Sequence, residues 1–416
     1  MEIKIPKGTQ DILPVDIQKW YYIEEVIRKT LNRYGYHEIR TPMFEHTELF
    51  VRGIGESTDI VNKEMFTFPD RKGRSLTLRP EGTASVMRAY LENRMQRSSK
   101  VMKLFYFGPM FRCEKPQAGR FRQFNQFGIE LIGSPSPLAD VEIIAAALEI
   151  YKTLGLKKLQ VLINSVGCKK CREDYIIKLK SFLTSKKDEL CADCKNRVEK
   201  NPMRVLDCKN IKCQRIIKEA PKINDNLCNE CNEHFEKVKG YLNDLKIRYK
   251  IDETLVRGLD YYTKTAFEII SGELGAQNAI AGGGRYDDLI EELGGKATPG
   301  VGFAAGIERT IISMDKQNVK WPGVDSLEVF AIVMDEKNSS LAFQLLQKIR
   351  KAGFSADMDF VGKSIKSQMR AANKYNAKYT VILGEEELSR KCVILRNMGT
   401  KEQKEVNMEY LIDELS

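Results

Sequence analysis

Residues 101–112 read VMKLFYFGPMFR and residues 121–133 read FRQFNQFGIELIG, with the polar loop CEKPQAGR between them. Two long segments rich in aromatic and branched residues, joined by a short loop, predict an antiparallel strand pair. The surrounding sequence has the same character. Phe66 and Phe68 alternate with polar residues before the turn PDRKGR and are answered by Leu76 and Leu78, which is a hairpin pattern. ADVEIIAAALEIYKTLG from Ala139 predicts a helix leading into the strand LQVLIN. β character returns at Tyr249 in YKIDETLVRGLDYYTKTAFEII, continues in NAIAGGGRYDDLI, and closes with TPGVGFAAGIERTII, a strand running into a helix. At the start of the chain IKI reads as strand, and Ile17, Trp20, Ile23, Ile27 and Leu31 recur at helical spacing until Gly35. Tyr36 to Phe44 then reads as strand interrupted by Pro42. The fold class is α+β, with a mainly antiparallel sheet.

Beyond MDKQNVKWPGVDS the pattern changes. Leu327 to Met334 is a buried-type strand, Leu341 to Lys351 and Lys363 to Asn376 are helical, and Tyr379 to Leu383 and Cys392 to Arg396 are strands. This alternation predicts a small α/β domain. The expected organisation is a discontinuous body (1–164 and 251–316), a cysteine-rich helical insertion (165–250), a linker (317–326) and a C-terminal domain (327–416).

With 42% hydrophobic and 30% charged residues in 416, the chain has material for real cores and no mark of disorder. No run of about 18 apolar residues occurs, and the opening MEIKIPKGTQ lacks a signal core, so a cytoplasmic protein that does not span a membrane is expected. The formal charge of +10 resides mostly in the insertion, where 21 Lys plus Arg face 13 Asp plus Glu; residues 325–416 are balanced at 14 against 14. The basic balance therefore marks the insertion as a surface for a polyanion more than it marks the whole chain.

Eight of the ten cysteines fall between Cys168 and Cys231: Cys168/Cys171, Cys191/Cys194, Cys208/Cys213 and Cys228/Cys231. Reduced thiols are expected in the cytoplasm, so structural zinc is favoured over disulfides, with free or redox-active thiols as the alternative. Nineteen residues separate Cys171 from Cys191, which suggests a first four-thiolate site from the first two pairs; fourteen separate Cys213 from Cys228, which suggests a second from the last two. His234 is a substitute ligand or a surface histidine.

Histidine supply limits mechanism: His37, His46 and His234 suggest no catalytic triad. Chemistry then rests on positioning and electrostatics, as in phosphoryl or nucleotidyl transfer. Arg112, Arg120, Arg122, Arg257 and Arg309 sit at strand ends beside glycines and aromatics, where guanidinium forks suit phosphate and carboxylate. The three adjacent glycines of AIAGGGRYDDL let a ligand approach backbone, or mark a bulge. Neither a phosphate-loop GxxxxGK[ST] nor a dinucleotide GxGxxG motif is present.

Taken in order, LRPEGTA from Leu78, FGPMFRCEKPQAGRFRQFNQFGIELIG from Phe107, LVRGLDYYTKTAFEI from Leu255, AGGGRYDDLI from Ala281 and GVGFAAGIERT from Gly300 resemble the bacterial-type histidyl-tRNA synthetases, a class II aminoacyl-tRNA synthetase family. KGTQDILP and GYHEIRTPMFE, similar to the class II dimer-interface motif, agree with it. The resemblance implies a homodimer that joins histidine to ATP, releases pyrophosphate, and passes the histidyl group to the terminal adenosine of its tRNA. By the same resemblance, Glu81, Thr83 and Gln126 hold the α-ammonium of L-histidine, and Glu130, Tyr262 and Tyr286 face its imidazole. Arg112 and Arg257 bridge its carboxylate and the α-phosphate as the catalytic cations. Arg309 and Arg120 serve the phosphates of ATP, which carries Mg, and Phe124 lies against adenine. Lys115, Gln117 and Arg120 meet the tRNA acceptor end. The last domain resembles the anticodon-binding domain of class II synthetases, in which the helix bearing Lys366, Arg370 and Lys374 is either an RNA face or merely solvated. Two rivals stand beside this reading: a histidine-binding regulatory subunit of ATP phosphoribosyltransferase, and a zinc-dependent RNA-binding protein without ligase activity.

Overall fold

The computed structural model describes residues 2–56, 58–116, 119–272, 279–322 and 326–415. The chain divides into two compact units, Met1–Lys320 and Trp321–Ser416.

The first unit is built on an eight-stranded sheet in the order His37–Glu38, Met102–Phe111, Gln123–Ile132, Gly300–Gly306, Ala279–Arg285, Thr263–Ser271, Leu159–Ser165, Tyr249–Ile251. All internal pairings are antiparallel, and only the two short edge strands pair in parallel. The Val101–Gly133 stretch forms its long central hairpin, with Met102 opposite Ile132 and Phe111 opposite Gln123. Antiparallel partners point to the same face, so this register sorts side chains into two sets. One set, with Phe105, Phe127, Ile129, Phe267 and Phe303, is buried; Phe127 meets Phe303 edge to face at 5.8 Å. The other set is small or polar and is described below.

A three-stranded sheet stands apart, with the Phe66–Pro69 and Ser75–Leu78 hairpin in the expected register, Phe66 opposite Leu78 and Phe68 opposite Leu76. The segment expected as one strand from Tyr36 to Phe44 is split. His37–Glu38 joins the large sheet and Phe44–His46 the small one, with Pro42 in the gap where it owes no ladder hydrogen bond. IKI is not a strand: Ile3 is 99% exposed, and the segment is tied down only further on, where the Gly8 carbonyl accepts from Arg122 N at 2.7 Å. Pro6 and Gly8 break the ladder that a strand there would need.

Helices Lys169–Ser185, Ala192–Lys200, Ile211–Ile217 and Asn229–Asp244 make up the insertion, which leaves from Leu159–Ser165 and returns through Tyr249–Ile251 beside it. Its apolar side chains, among them Tyr175, Leu179, Val198, Val205 and Ile216, share one continuous core with Val256, Tyr262 and Tyr286 of the body.

The second unit is a five-stranded sheet in the order Ala356–Met358, Val329–Val333, Tyr379–Leu383, Cys392–Asn397, Gln403–Asn407, parallel at first and then antiparallel. The two outermost strands escape sequence reading because each is short and carries charged residues at an edge. Helix Ile365–Lys374 buries Gln368, whose amide bonds both N and O of Val333 at 2.9 Å, and leaves Lys366, Arg370 and Lys374 exposed. Among the described residues no helix is long and apolar enough to cross a membrane.

Candidate functional site

The second face of the large sheet is paved with small residues. The register places Gly128, Ala304, Gly282 and Glu268 in one row across four strands, and Glu130, Gly302, Gly284 and Ala266 in the next. Tyr106 continues the first row on the neighbouring strand, opposite Gly128, and Gly108 lies opposite Gln126 in the row beyond it. A floor of glycine and alanine on a twisted sheet leaves a trough that larger side chains would fill. The three adjacent glycines lie in a strand, and one of them, like Gly302 on the strand beside it, makes room for a neighbouring side chain. A Cβ on Gly282 would lie 2.3 Å from the Arg257 guanidinium, and one on Gly302 would lie 2.0 Å from the Glu130 carboxylate.

At one end of the trough are two carboxyl groups. Glu81 precedes helix Thr83–Glu92 and accepts from Thr83 N at 2.7 Å and Ala84 N at 2.8 Å. Glu130 is fully buried; it accepts from Thr83 Oγ1 at 2.7 Å and from the Tyr286 hydroxyl. Burial pushes its carboxyl up to about 8, against the pull of those two hydroxyls. Burial likewise raises Glu81. Tyr262 and Tyr286 flank Tyr261, with ring centroids 4.7 and 5.8 Å from it.

Arg257 lies over Gly282, ion-paired with Glu268 and 5.9 Å above the Tyr262 ring. Burial alone would weaken its hold on its proton, but Glu268 more than offsets this and keeps it a firm cation. Further along, Arg112 donates to the Pro80 carbonyl at 2.9 Å and stands 5.5 Å from the Phe124 ring. Arg309, in the first turn of helix Ile307–Lys316, donates to the Ala279 carbonyl at 2.7 Å. Burial first, and then the nearby Arg120, lowers its pKa. Arg120 also pairs with Glu114 at 3.0 Å.

The trough is thus electrically graded. Glu130 and Gln126 are four residues apart on one strand, about 13 Å at a strand's rise, and the strands beyond Gln126 end in Arg112 and Arg309. Three buried polar atoms bordering it, Gln126 Oε1, Arg257 Nε and the Tyr106 hydroxyl, have no hydrogen-bond partner among the described residues. Such atoms are costly unless a ligand or water completes them.

Glu81, Thr83, Gln126, Glu130, Arg257, Tyr262 and Tyr286 are brought together around one trough, and Arg112, Phe124 and Arg309 gather at its end. Lys115 is exposed on the 113–116 stretch, and Gln117 lies outside the described residues. Sequence reading passed over Tyr106, Tyr261 and Glu268. Tyr106 and Glu268 share a face with Gly128 and Gly282 only through strand pairing, which alternation along one segment does not carry.

All eight insertion cysteines sit in two clusters, but not as chain spacing suggested. Cys168 and Cys171 join Cys228 and Cys231, and Cys191 and Cys194 join Cys208 and Cys213. The nineteen-residue spacer misleads because it is mostly the straight helix Lys169–Ser185, about 25 Å long at 1.5 Å per residue, which carries the chain away from its first pair. The sites are nested instead. Sγ atoms stand 3.6 Å apart for Cys168 and Cys171 and 3.9 Å for Cys191 and Cys208, near the roughly 3.8 Å edge of a thiolate tetrahedron around zinc and far from a disulfide. Backbone N–H groups of Cys228 and Cys191 point at Cys171 and Cys213 Sγ, 3.1 and 3.3 Å away. His234 belongs to neither cluster and is not on the surface: buried, it bonds Asp140 at 3.2 Å. Burial would raise the Asp140 carboxyl, yet Arg285 and His234 hold it down at about 2.

A family model described as histidyl-tRNA synthetase matches residues 8–310, and one described as an anticodon binding domain matches residues 328–416. The chain is 54% identical over 415 residues to histidine–tRNA ligase of Halothermothrix orenii, covering 100% of this chain and 99% of that one. It is 51% identical over 407 residues to histidine–tRNA ligase of Desulforamulus reducens, covering 98% and 97%. The crystal structure of apo S. aureus histidyl-tRNA synthetase superposes with a TM-score of 0.83 at 40% identity, covering 100% of both chains.

Proposed function

Since the chain belongs to the histidyl-tRNA synthetase family and joins histidine to its tRNA with ATP, we propose that the graded trough is where both steps occur. The observation that carries this is the order of charges: carboxylates at one end, Arg257 in the middle, cations at the other. Glu81 with Thr83 and Gln126 takes the α-ammonium, and the open Gln126 Oε1 supplies an acceptor. Glu130, Tyr262 and Tyr286 meet the imidazole; an apolar isostere would leave them buried and unpaired. The α-carboxylate then points toward Arg257 and Arg112, which neutralise charge as it attacks the α-phosphate. Arg309 and Arg120 hold the far phosphates of ATP, which enters with its magnesium as substrate, and Phe124 packs on adenine. Lys115, Gln117 and Arg120 meet the tRNA acceptor end. Charging of tRNA for histidine with labelled histidine tests the second step, which fails to appear if the reading is wrong. The regulatory-subunit reading is not favoured, since the full-length relatives are ligases.

The bounds 1–164 with 251–316, 165–250 and 327–416 serve as catalytic, insertion and anticodon-binding parts, and the cytoplasm, where tRNA is charged, is the expected site of action. Dimerisation is supported by an apolar face on the small sheet, where Phe44 and Phe68 are 52% and 41% exposed and stand opposite Leu78 and Leu76. Phe44→Glu with Phe68→Glu is expected to shift the protein from dimer to monomer in light scattering after gel filtration; an unchanged mass would place the interface elsewhere.

Each cysteine cluster binds one structural zinc. Protein purified without chelator is expected to hold about two equivalents by elemental analysis. Below about half an equivalent, the thiols are free.

A further inference from the structure

We propose that the inner cluster, Cys191, Cys194, Cys208 and Cys213, is a zinc clamp that positions Arg257 for adenylate formation. The inference rests on the ligase and zinc readings above.

The insertion side chains that bond Arg257 and Asp260 lie between the second and third ligands of this one cluster. Arg204 Nη1 donates to the Arg257 carbonyl at 3.0 Å. Asn201 Nδ2 donates to Asp260 Oδ1 at 3.0 Å. Arg197 Nη2 donates to Asp59 Oδ2 at 2.7 Å, and Arg204 Nη2 stands 3.9 Å from the same oxygen. This short segment thus grips the loop at two points and braces itself on a third element.

The loop needs such a grip. Residues 252–262 form no helix or strand. A cavity of 360 Å³ where they meet the insertion is lined by Asn201, Arg204, Arg257, Asp260 and Tyr262. Val256 and Tyr262, on either side of Arg257, pack into the shared core, while the Arg257 backbone itself is held from the insertion by the Arg204 hydrogen bond.

The gripping segment cannot hold its own shape. Helices Ala192–Lys200 and Ile211–Ile217 are nine and seven residues long, too short to persist alone. The four thiolates close the chain around it, with Cys194 and Cys213 buried in the same core cluster as Val198 and Val205. The outer cluster is placed differently: from its first helix Arg172 bonds the Val166 and Tyr262 carbonyls, so it secures the base of the insertion. Arg204 is accordingly a positioning residue. It acts through the backbone of Arg257 and touches no substrate.

The test compares the parent with Arg204→Ala, Arg204→Lys, Cys208→Ser and the Arg204→Ala/Cys208→Ser pair, reading zinc content, thermal unfolding and histidine-dependent ATP–pyrophosphate exchange. Arg204→Ala is expected to keep both zincs and lower kcat about ten- to a hundredfold, the range for losing one charged hydrogen bond, with KM for ATP little changed. Arg204→Lys, which can still donate to the carbonyl, restores most of the rate. Cys208→Ser loses one zinc and falls by a similar factor, and the pair is no slower than Cys208→Ser alone, because both remove one coupling. If Arg204→Ala keeps its kcat within about threefold, or if the two losses multiply, the clamp does not act through Arg257. A parent that exchanges with histidine but holds no zinc overturns the metal part alone. A parent with no exchange overturns the ligase reading first.

Discussion

Replacing Arg257 with alanine is expected to slow histidine-dependent adenylate formation by about 10² to 10³-fold or more, the scale for removing one preorganised donor from developing charge. Arg257 is the only predicted site cation that lies over the glycine floor, midway between the carboxylate and cationic ends. Its buried Nε has no hydrogen-bond partner among the described residues. Arg309 and Arg112 remain to hold the nucleotide, so ATP binding should survive. Single-turnover rates within tenfold of the parent would assign the transition-state charge to another group.

Glu130→Gln is expected to reduce kcat/KM for histidine by at least about 10²-fold, because the amide cannot exchange a proton with the imidazole as the carboxyl can inside a water-excluded site. The same change should stabilise the free protein at alkaline pH. Burial raises Glu130 from an ordinary 4.5 to about 8, so the folded state binds its proton more tightly than the unfolded chain. Parental stability contributed by this group is full below about pH 4.5 and falls as pH rises toward 8, by about 1.4 kcal/mol per pH unit. Glutamine has no such slope. The melting-temperature difference, variant minus parent, should therefore grow from pH 5 to pH 8 and then level off. A difference that stays flat would mean Glu130 is already ionised at pH 5.

Strand and helix patterns were legible wherever one face is buried. The central hairpin, the helix from Ile17 to Leu31 and the strand-to-helix passage at Gly306 follow directly from apolar spacing. The site was legible through residue type: cations and carboxylates beside glycines indicated where ligands could lie. Two things were hidden. Strand register decides that Glu268 and Tyr106 share the trough, and register is a property of pairing that no single segment carries. The cysteine grouping depends on the direction of the helix between pairs, so counting residues gave the wrong partners. His234 was misplaced for a related reason, since its partner is Asp140, far away in the chain.

The most direct test of the account is ATP–pyrophosphate exchange with each amino acid in turn. Exchange supported by histidine alone is the expected result. Exchange with none of them, or equally with an apolar amino acid, would contradict both the ligase reading and the role given to Glu130, Tyr262 and Tyr286.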